Sequence, residues 1–215
     1  MKRAASCVSR VTRLACLTLS LCLDLCLVVP SAHAAAPVAK IEAMLARPQI
    51  LCGRFEQTKQ LAGMKKPLLS SGRFCVVAGK GVWWRTLTPF ASSLRLTRDE
   101  IVTYQGDRVA TRLDAKTEPV VRMINGVLFS LLAGDLAQLD TVFEVDGSAD
   151  ADSWQVALKA RQPALARAIG AIRLDGGAYV RNIAIDEAGG DHTAIVFSGI
   201  RTGAAAMTAE ETALF

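Results

Sequence analysis

Cys52 and Cys75 stand at mirror positions of a strand–loop–strand pattern, and that mirror limits what the chain can build. Residues 50 to 60 and 68 to 77 alternate apolar and polar side chains, the period-two mark of half-buried strands, on either side of Ala62-Gly63-Met64-Lys65. If those four residues form the loop of an antiparallel hairpin, the residue numbers of every cross-strand pair sum to 127. Cys52 then faces Cys75, Phe55 faces Gly72 and Phe74 faces Gly53, so each aromatic ring can cover the bare backbone of a glycine. Counting outward from Leu61 and Lys66, both Gln60–Pro67 and Cys52–Cys75 fall at non-hydrogen-bonded pairs. Pro67 has no N–H to donate, and Cα atoms at such a pair lie ~4.5 Å apart, within reach of a disulfide. A two-residue loop at Gly63-Met64 has the same sum but puts Pro67 at a bonded pair, so the longer loop is preferred. The alternation places Leu51, Phe55, Phe74 and Val76 on one face, and the cysteines, Arg54, Glu56 and Arg73 on the other. The disulfide is therefore expected on the outer face, as a structural clip; a reactive pair is more often spaced Cys-x-x-Cys.

A disulfide needs an oxidising compartment, and the start of the chain agrees. Lys2, Arg3, Arg10 and Arg13 form a basic start, residues 14 to 29 an apolar run interrupted by Asp24, and Ala32-His33-Ala34 a small-x-small cleavage site. The run is shorter than the ~20 residues of a spanning helix. We read residues 1–34 as a cleaved signal peptide and residues 35–215 as one exported domain of 181 residues. Cys7, Cys16, Cys22 and Cys26 would leave with the signal. So would four basic residues and one acidic one, which reduces 25 basic and 20 acidic residues to 21 and 19. A nucleic-acid partner needs a clustered basic face, and no segment of the remainder carries one.

Beyond the hairpin the pattern is mostly strands. Residues 37 to 47 read as a short amphipathic helix with Val38, Ile41 and Leu45 on one face, ended by Pro48. Strands are expected at 81 to 86, 91 to 97, 100 to 105, 142 to 146, 153 to 160, 171 to 175, 178 to 186 and 192 to 199. In the first of these, Val82 and Trp84 share a face and Trp83 takes the other. Residues 107 to 114 are ambiguous, 163 to 169 read as a short helix, Asp175-Gly176-Gly177 as a turn, and Phe215 as an apolar end that docks. Residues 117 to 134 differ: they begin Thr-Glu-Pro, stop at Gly134 and leave very little polar face between. Such a helix must be buried on more than one side. It is either a central core helix or a lid, one side on a sheet and the other lining a cavity; Gly126, which costs ~1 kcal/mol relative to alanine, suits a lid that shifts. The fold class is mainly β, with a few helices against one face of a large antiparallel sheet.

Little in the chain points to catalysis. His192 is the one histidine left after signal removal, and Ser198 lies six residues on. In a strand that separation is ~20 Å, too far for a base and its nucleophile. There is no Gly-x-Ser-x-Gly elbow and no phosphate-binding glycine loop. The acidic segment Asp146 to Asp152 lacks the ligand alternation and terminal glutamate of a calcium loop, so it reads as a solvated loop. No catalytic residue, metal ligand or cofactor is expected. What remains is apolar surface rich in aliphatic side chains, suited to flexible acyl chains but also to an ordinary core. Burial is worth ~0.8 kcal/mol per CH₂, so a sixteen-carbon chain would gain on the order of 12 kcal/mol gross.

The order of several short motifs resembles the LolA family, the periplasmic carriers of outer-membrane lipoproteins. They are Gly53-Arg54-Phe55-Glu56-Gln57, Leu69-Ser70-Ser71-Gly72-Arg73-Phe74, Gly81-Val82-Trp83-Trp84 and Thr88-Pro89-Phe90, followed by the strand pair ending at Tyr104. The tryptophan strand at Trp154, the stretch Pro163 to Leu174 and the acidic segment before Phe215 continue the match over nearly all of the exported chain. The resemblance implies an unclosed β-barrel whose concave face is covered by helices, enclosing an apolar cavity for acyl chains. It also implies a periplasmic, non-enzymatic carrier, expected to be a monomer, loaded by an inner-membrane exporter and unloaded at an outer-membrane receptor. Phe55, Phe74, Val76, Trp84 and Leu96 from the sheet, with Ile124, Leu128 and Leu131 from the lid, are the expected lipid-binding residues. One departure stands out: the family arginine that latches the lid falls at Ala78 here, so the cargo could be a different lipid or glycolipid carried by a paralogue. Two other readings compete. One is a binding module for envelope assembly that acts through protein contacts alone, with a filled core; the other is a hydrolase using Ser198 and His192.

Overall fold

The computed structural model describes residues 35–117, 139–213 and 215. The signal at 1–34 and all but the first residue of the expected lid lie outside them, Ile124, Leu128 and Leu131 included. Eleven strands form one antiparallel sheet: β1 (Ile50–Gln60), β2 (Leu68–Val77), β3 (Gly81–Thr88), β4 (Ser92–Leu96), β5 (Glu100–Gln105), β6 (Arg108–Asp114), β7 (Phe143–Ala149), β8 (Trp154–Ala160), β9 (Ala171–Gly176), β10 (Val180–Asp186) and β11 (His192–Thr202). Two meanders, β1–β6 and β7–β11, meet where β1 pairs with β11. β6 and β7 are the two edges, so the barrel is unclosed, as expected. Among the described residues the α-helices are α1 (Ala35–Met44), α2 (Pro163–Ile169) and α3 (Ala209–Thr212).

The β1–β2 register follows the sum inferred from the cysteines: Cys52 pairs with Cys75, Gly53 with Phe74 and Phe55 with Gly72. The disulfide is formed, with the two Cα atoms 4.1 Å apart. A ring carbon of Phe55 lies 2.8 Å from where a Cβ on Gly72 would stand, and one of Phe74 lies 2.9 Å from the same point on Gly53. Both places need glycine: at Gly72 the Arg85 carbonyl oxygen is closer still to that point, and at Gly53 the ring is joined by Ile200 at 2.9 Å. The loop is longer than four residues. Pairing stops at Lys59–Leu68. Leu61–Met64 forms a turn closed by a Met64 N–H to Leu61 carbonyl bond of 3.1 Å, and the Gln60 amide donates to the carbonyls of Leu61 and Met64. Gln60 thereby satisfies two carbonyls of the widened loop.

Residues 107 to 114, ambiguous by pattern, form the edge strand β6. It is exposed along its whole length and carries Arg108 and Arg112, the kind of charge that discourages an edge from pairing with another chain. The helix expected at 37–47 spans Ala35–Met44, and Leu45 continues its hydrogen bonding to Ile41.

Strands β7–β9 carry most of the core on their concave face. Phe143, Trp154, Val156, Leu158, Ile172 and Leu174 form one buried cluster with Ile41 from α1, Leu165 from α2 and Leu139. The Trp154 indole N–H donates 2.6 Å to the Gly177 carbonyl, which satisfies its polar atom inside the core. In the other meander both faces hold buried residues, Phe55, Phe74 and Leu96 on the concave side and a smaller cluster on the convex side. Cys52, Cys75 and Ala206 pack together with Ile50 and Met207, beneath the C-terminal segment. That segment docks as expected. Its turn at Ala204–Ala206 leads into α3, where Thr208 and Glu211 form a reciprocal capping box. Glu211 is 3% exposed and lies 3.4 Å from an Arg73 guanidinium nitrogen. The bridge thus sits on the outer face but not at the surface.

Candidate functional site

Two bulges decide which side chains reach the concave face at the centre of the sheet. Between Cys52 and Arg54 the β1–β11 register shifts by one, opposite Gly199 with φ +59°. A glycine in the left-handed region lets β11 take an extra residue. Phe197 and Ile200, three apart, then both face inward. A second shift in β10, between Val180 and Asn182, does the same for Val180 and Ile183.

With these phases set, alternate residues of both meanders enclose an apolar cavity of ≈ 580 Å³. The first meander contributes Leu51 and Gln57 from β1, Phe74 and Val76 from β2, Val82 and Trp84 from β3, and Leu94 and Leu96 from β4. The second contributes Ile172 and Leu174 from β9, Val180, Ile183 and Ile185 from β10, and Ile195, Phe197 and Ile200 from β11. Leu45, Ala46, Ile169, Ala178, Tyr179 and Glu187 complete the described walls. The volume is within the ~300–1,000 Å³ of small-molecule sites.

The cavity floor is aromatic. Phe55 stacks on Trp84 with ring centroids 3.7 Å apart, and Phe197 meets Phe74 edge-on at 4.9 Å and Trp84 edge-on at 6.1 Å. Four of the five sheet residues singled out in the sequence, Phe74, Val76, Trp84 and Leu96, line the cavity. Phe55 does not. It is 1% exposed, sealed between Trp84 and the Gly72 backbone, so it supports the wall without forming it. The residues of β9–β11 went unmarked because their phase depends on bulges that a fixed period of two does not show. Gly199 was the one available signal.

Polar groups collect at one rim. Lys59 Nζ lies 2.7 Å from Glu187 Oε1 and 3.8 Å from Asp191 Oδ2. The hydrogen bond to Glu187 is the main reason the Lys59 ammonium titrates above its ordinary range. Nearby, Asp186 accepts from His192 Nδ1 at 2.6 Å and from Arg173 at 2.8 Å, and the His192 bond is the chief cause that holds the Asp186 carboxyl below the usual carboxylate range. His192 is therefore engaged with an aspartate at the start of β11. Ser198 is six residues along that strand, opposite Arg54. Ala78 occupies the exposed β2–β3 turn, its N–H bonded to the Gln49 carbonyl, and presents no charge there. The sulfurs of Cys52 and Cys75 lie near the Glu211 carboxylate, but they are bonded to each other and unavailable to a metal.

By sequence, no curated protein matches the chain. Among solved structures it is similar to a LolA superfamily protein from Nitrosomonas europaea (7% identity, TM-score 0.42, covering 79% of this chain and 93% of that one). It is also similar to a DUF1329 family protein from Desulfovibrio piger (11% identity, TM-score 0.45, 83% and 96%) and to the MucA/MucB complex of Pseudomonas aeruginosa (11% identity, TM-score 0.45, 81% and 60%). Residues 30–214 match the family of outer membrane lipoprotein carrier protein LolA-like proteins, and the chain belongs to that family.

Proposed function

We propose that this protein is a periplasmic carrier that takes the acyl chains of a lipoprotein or another lipid into the cavity between its two meanders. In this reading it receives cargo from an inner-membrane exporter, releases it to an outer-membrane receptor, acts as a monomer and performs no chemistry. The observation that carries the reading is the cavity wall. Aliphatic and aromatic side chains from seven strands converge on one open volume, with Gln57, Tyr179 and Glu187 as its only polar lining among the described residues. Hydrocarbon entering such a space gains ~0.8 kcal/mol for each CH₂ removed from water, without needing polar recognition. The aromatic floor keeps the wall rigid, so the pocket exists before cargo arrives and little ordering opposes binding.

Native mass spectrometry of protein purified from its own periplasm tests this. A co-purifying acyl lipid, or saturable uptake of a fluorescent sixteen-carbon fatty-acyl probe, is expected. Repeated absence of both would defeat the carrier reading.

A further inference from the structure

The cavity is not uniform along its length. Leu51 to Gln57 on β1 spans ~20 Å of wall. At the Leu51 end the neighbours are Val76, Val82 and Ile200, with Tyr179 as the one polar residue among those described. At the other end stand Gln57 and Glu187. Among the described residues the Gln57 side-chain amide makes no hydrogen bond with the protein, so it has both donors and an acceptor to offer. Glu187 shares one ammonium, Lys59, with Asp191. Among the described residues, this cluster sets two carboxylates against one cation, a local excess of one negative charge. The adjoining Arg173–Asp186 pair adds none. Beside an apolar wall the local dielectric is lower than that of water, and a like charge placed there is repelled more strongly.

We infer that this rim receives the polar end of the cargo and selects acyl chains whose head carries no net negative charge: hydroxyl, amide or ammonium heads over phosphate or carboxylate. The inference rests on the carrier reading above and narrows it to a ligand class. Gln57 supplies hydrogen bonds to a neutral head, and Glu187 rejects an anionic one. The hydrocarbon runs away from the rim toward Leu51.

Two probes separate the effects, because 1-palmitoylglycerol and 1-palmitoylglycerol-3-phosphate differ only in the phosphate. Titrated into the full exported chain with calorimetric readout, the glyceride is expected to bind about tenfold more tightly than its phosphate. Glu187→Gln should bring the two affinities together, and Lys59→Met should widen the gap. Equal or tighter binding of the phosphate to the natural chain, or a ratio that Glu187→Gln leaves untouched, overturns the selection. Failure of both probes to bind overturns the carrier reading itself.

Discussion

In the β7–β11 meander, Phe143, Trp154, Val156 and Leu158 on β7 and β8 fill the concave face beneath α1 and α2. On β1–β4 the same face carries Phe74, Trp84, Leu94 and Leu96 onto a cavity, and burial extends to both faces, with Phe55 and Leu96 inside and the disulfide and Trp83 on the convex side. One continuous sheet thus has a closed core on one face at its β7–β8 end and burial on both faces around the cavity. The contrast has a physical consequence. The second meander is held by ordinary core packing. The first is held, among the described residues, by its cross-link, its C-terminal cover and its aromatic cluster, while part of its concave face lines the cavity.

Four variants sharpen or break that contrast. The largest effect is expected from Phe143→Ala, which leaves a hole in a closed core and should cost about 3–5 kcal/mol in urea unfolding. Leu94→Ala, on the open wall, should cost less than about 1 kcal/mol while weakening acyl-probe binding roughly severalfold. Similar losses of stability at both sites would mean that the first meander is as filled as the second. Next, replacing Cys52 and Cys75 together by alanine should remove about 2–4 kcal/mol, with tryptic cleavage appearing first in β1–β2 and the C-terminal segment. A loss spread evenly over the chain would argue against a separately clamped half. The smallest effect concerns Lys59, a half-exposed ion pair worth about 0–1 kcal/mol. Its ammonium is raised above 10.5 in the folded state, so its contribution is complete below that pH and fades as pH climbs through the raised value. Lys59→Met should flatten the alkaline limb of the stability profile and leave the neutral region nearly unchanged.

How much of this was legible follows from the same contrast. The hairpin register could be read because three independent constraints, the cysteine mirror and two glycine–aromatic pairs, agree on one sum. The loop could not, since its width depends on a side chain, Gln60, bonding the Leu61 and Met64 carbonyls, which no alternation shows. Strand β6 showed no alternation because both of its faces are wet. The wall on β2–β4 was marked by large aromatics in regular phase, whereas the wall on β10–β11 is aliphatic and shifted by bulges. The capping box Thr208-x-x-Glu211 was present in the sequence and marks the docked end of the chain. Alternation alone shows that a face is apolar; it does not show whether anything fills the space above it.

The seam between β1 and β11 has a further consequence for how the protein comes into being. Its partners, such as Phe55 and Phe197, are far apart along the chain, so this pairing has high contact order and closes late. Each meander can zip from neighbouring hairpins while the chain is still emerging, but the pocket has walls from both. The cavity therefore has both its walls only once β1 and β11 are paired, and a chain short of its last strand lacks Ile195, Phe197 and Ile200 from that enclosure.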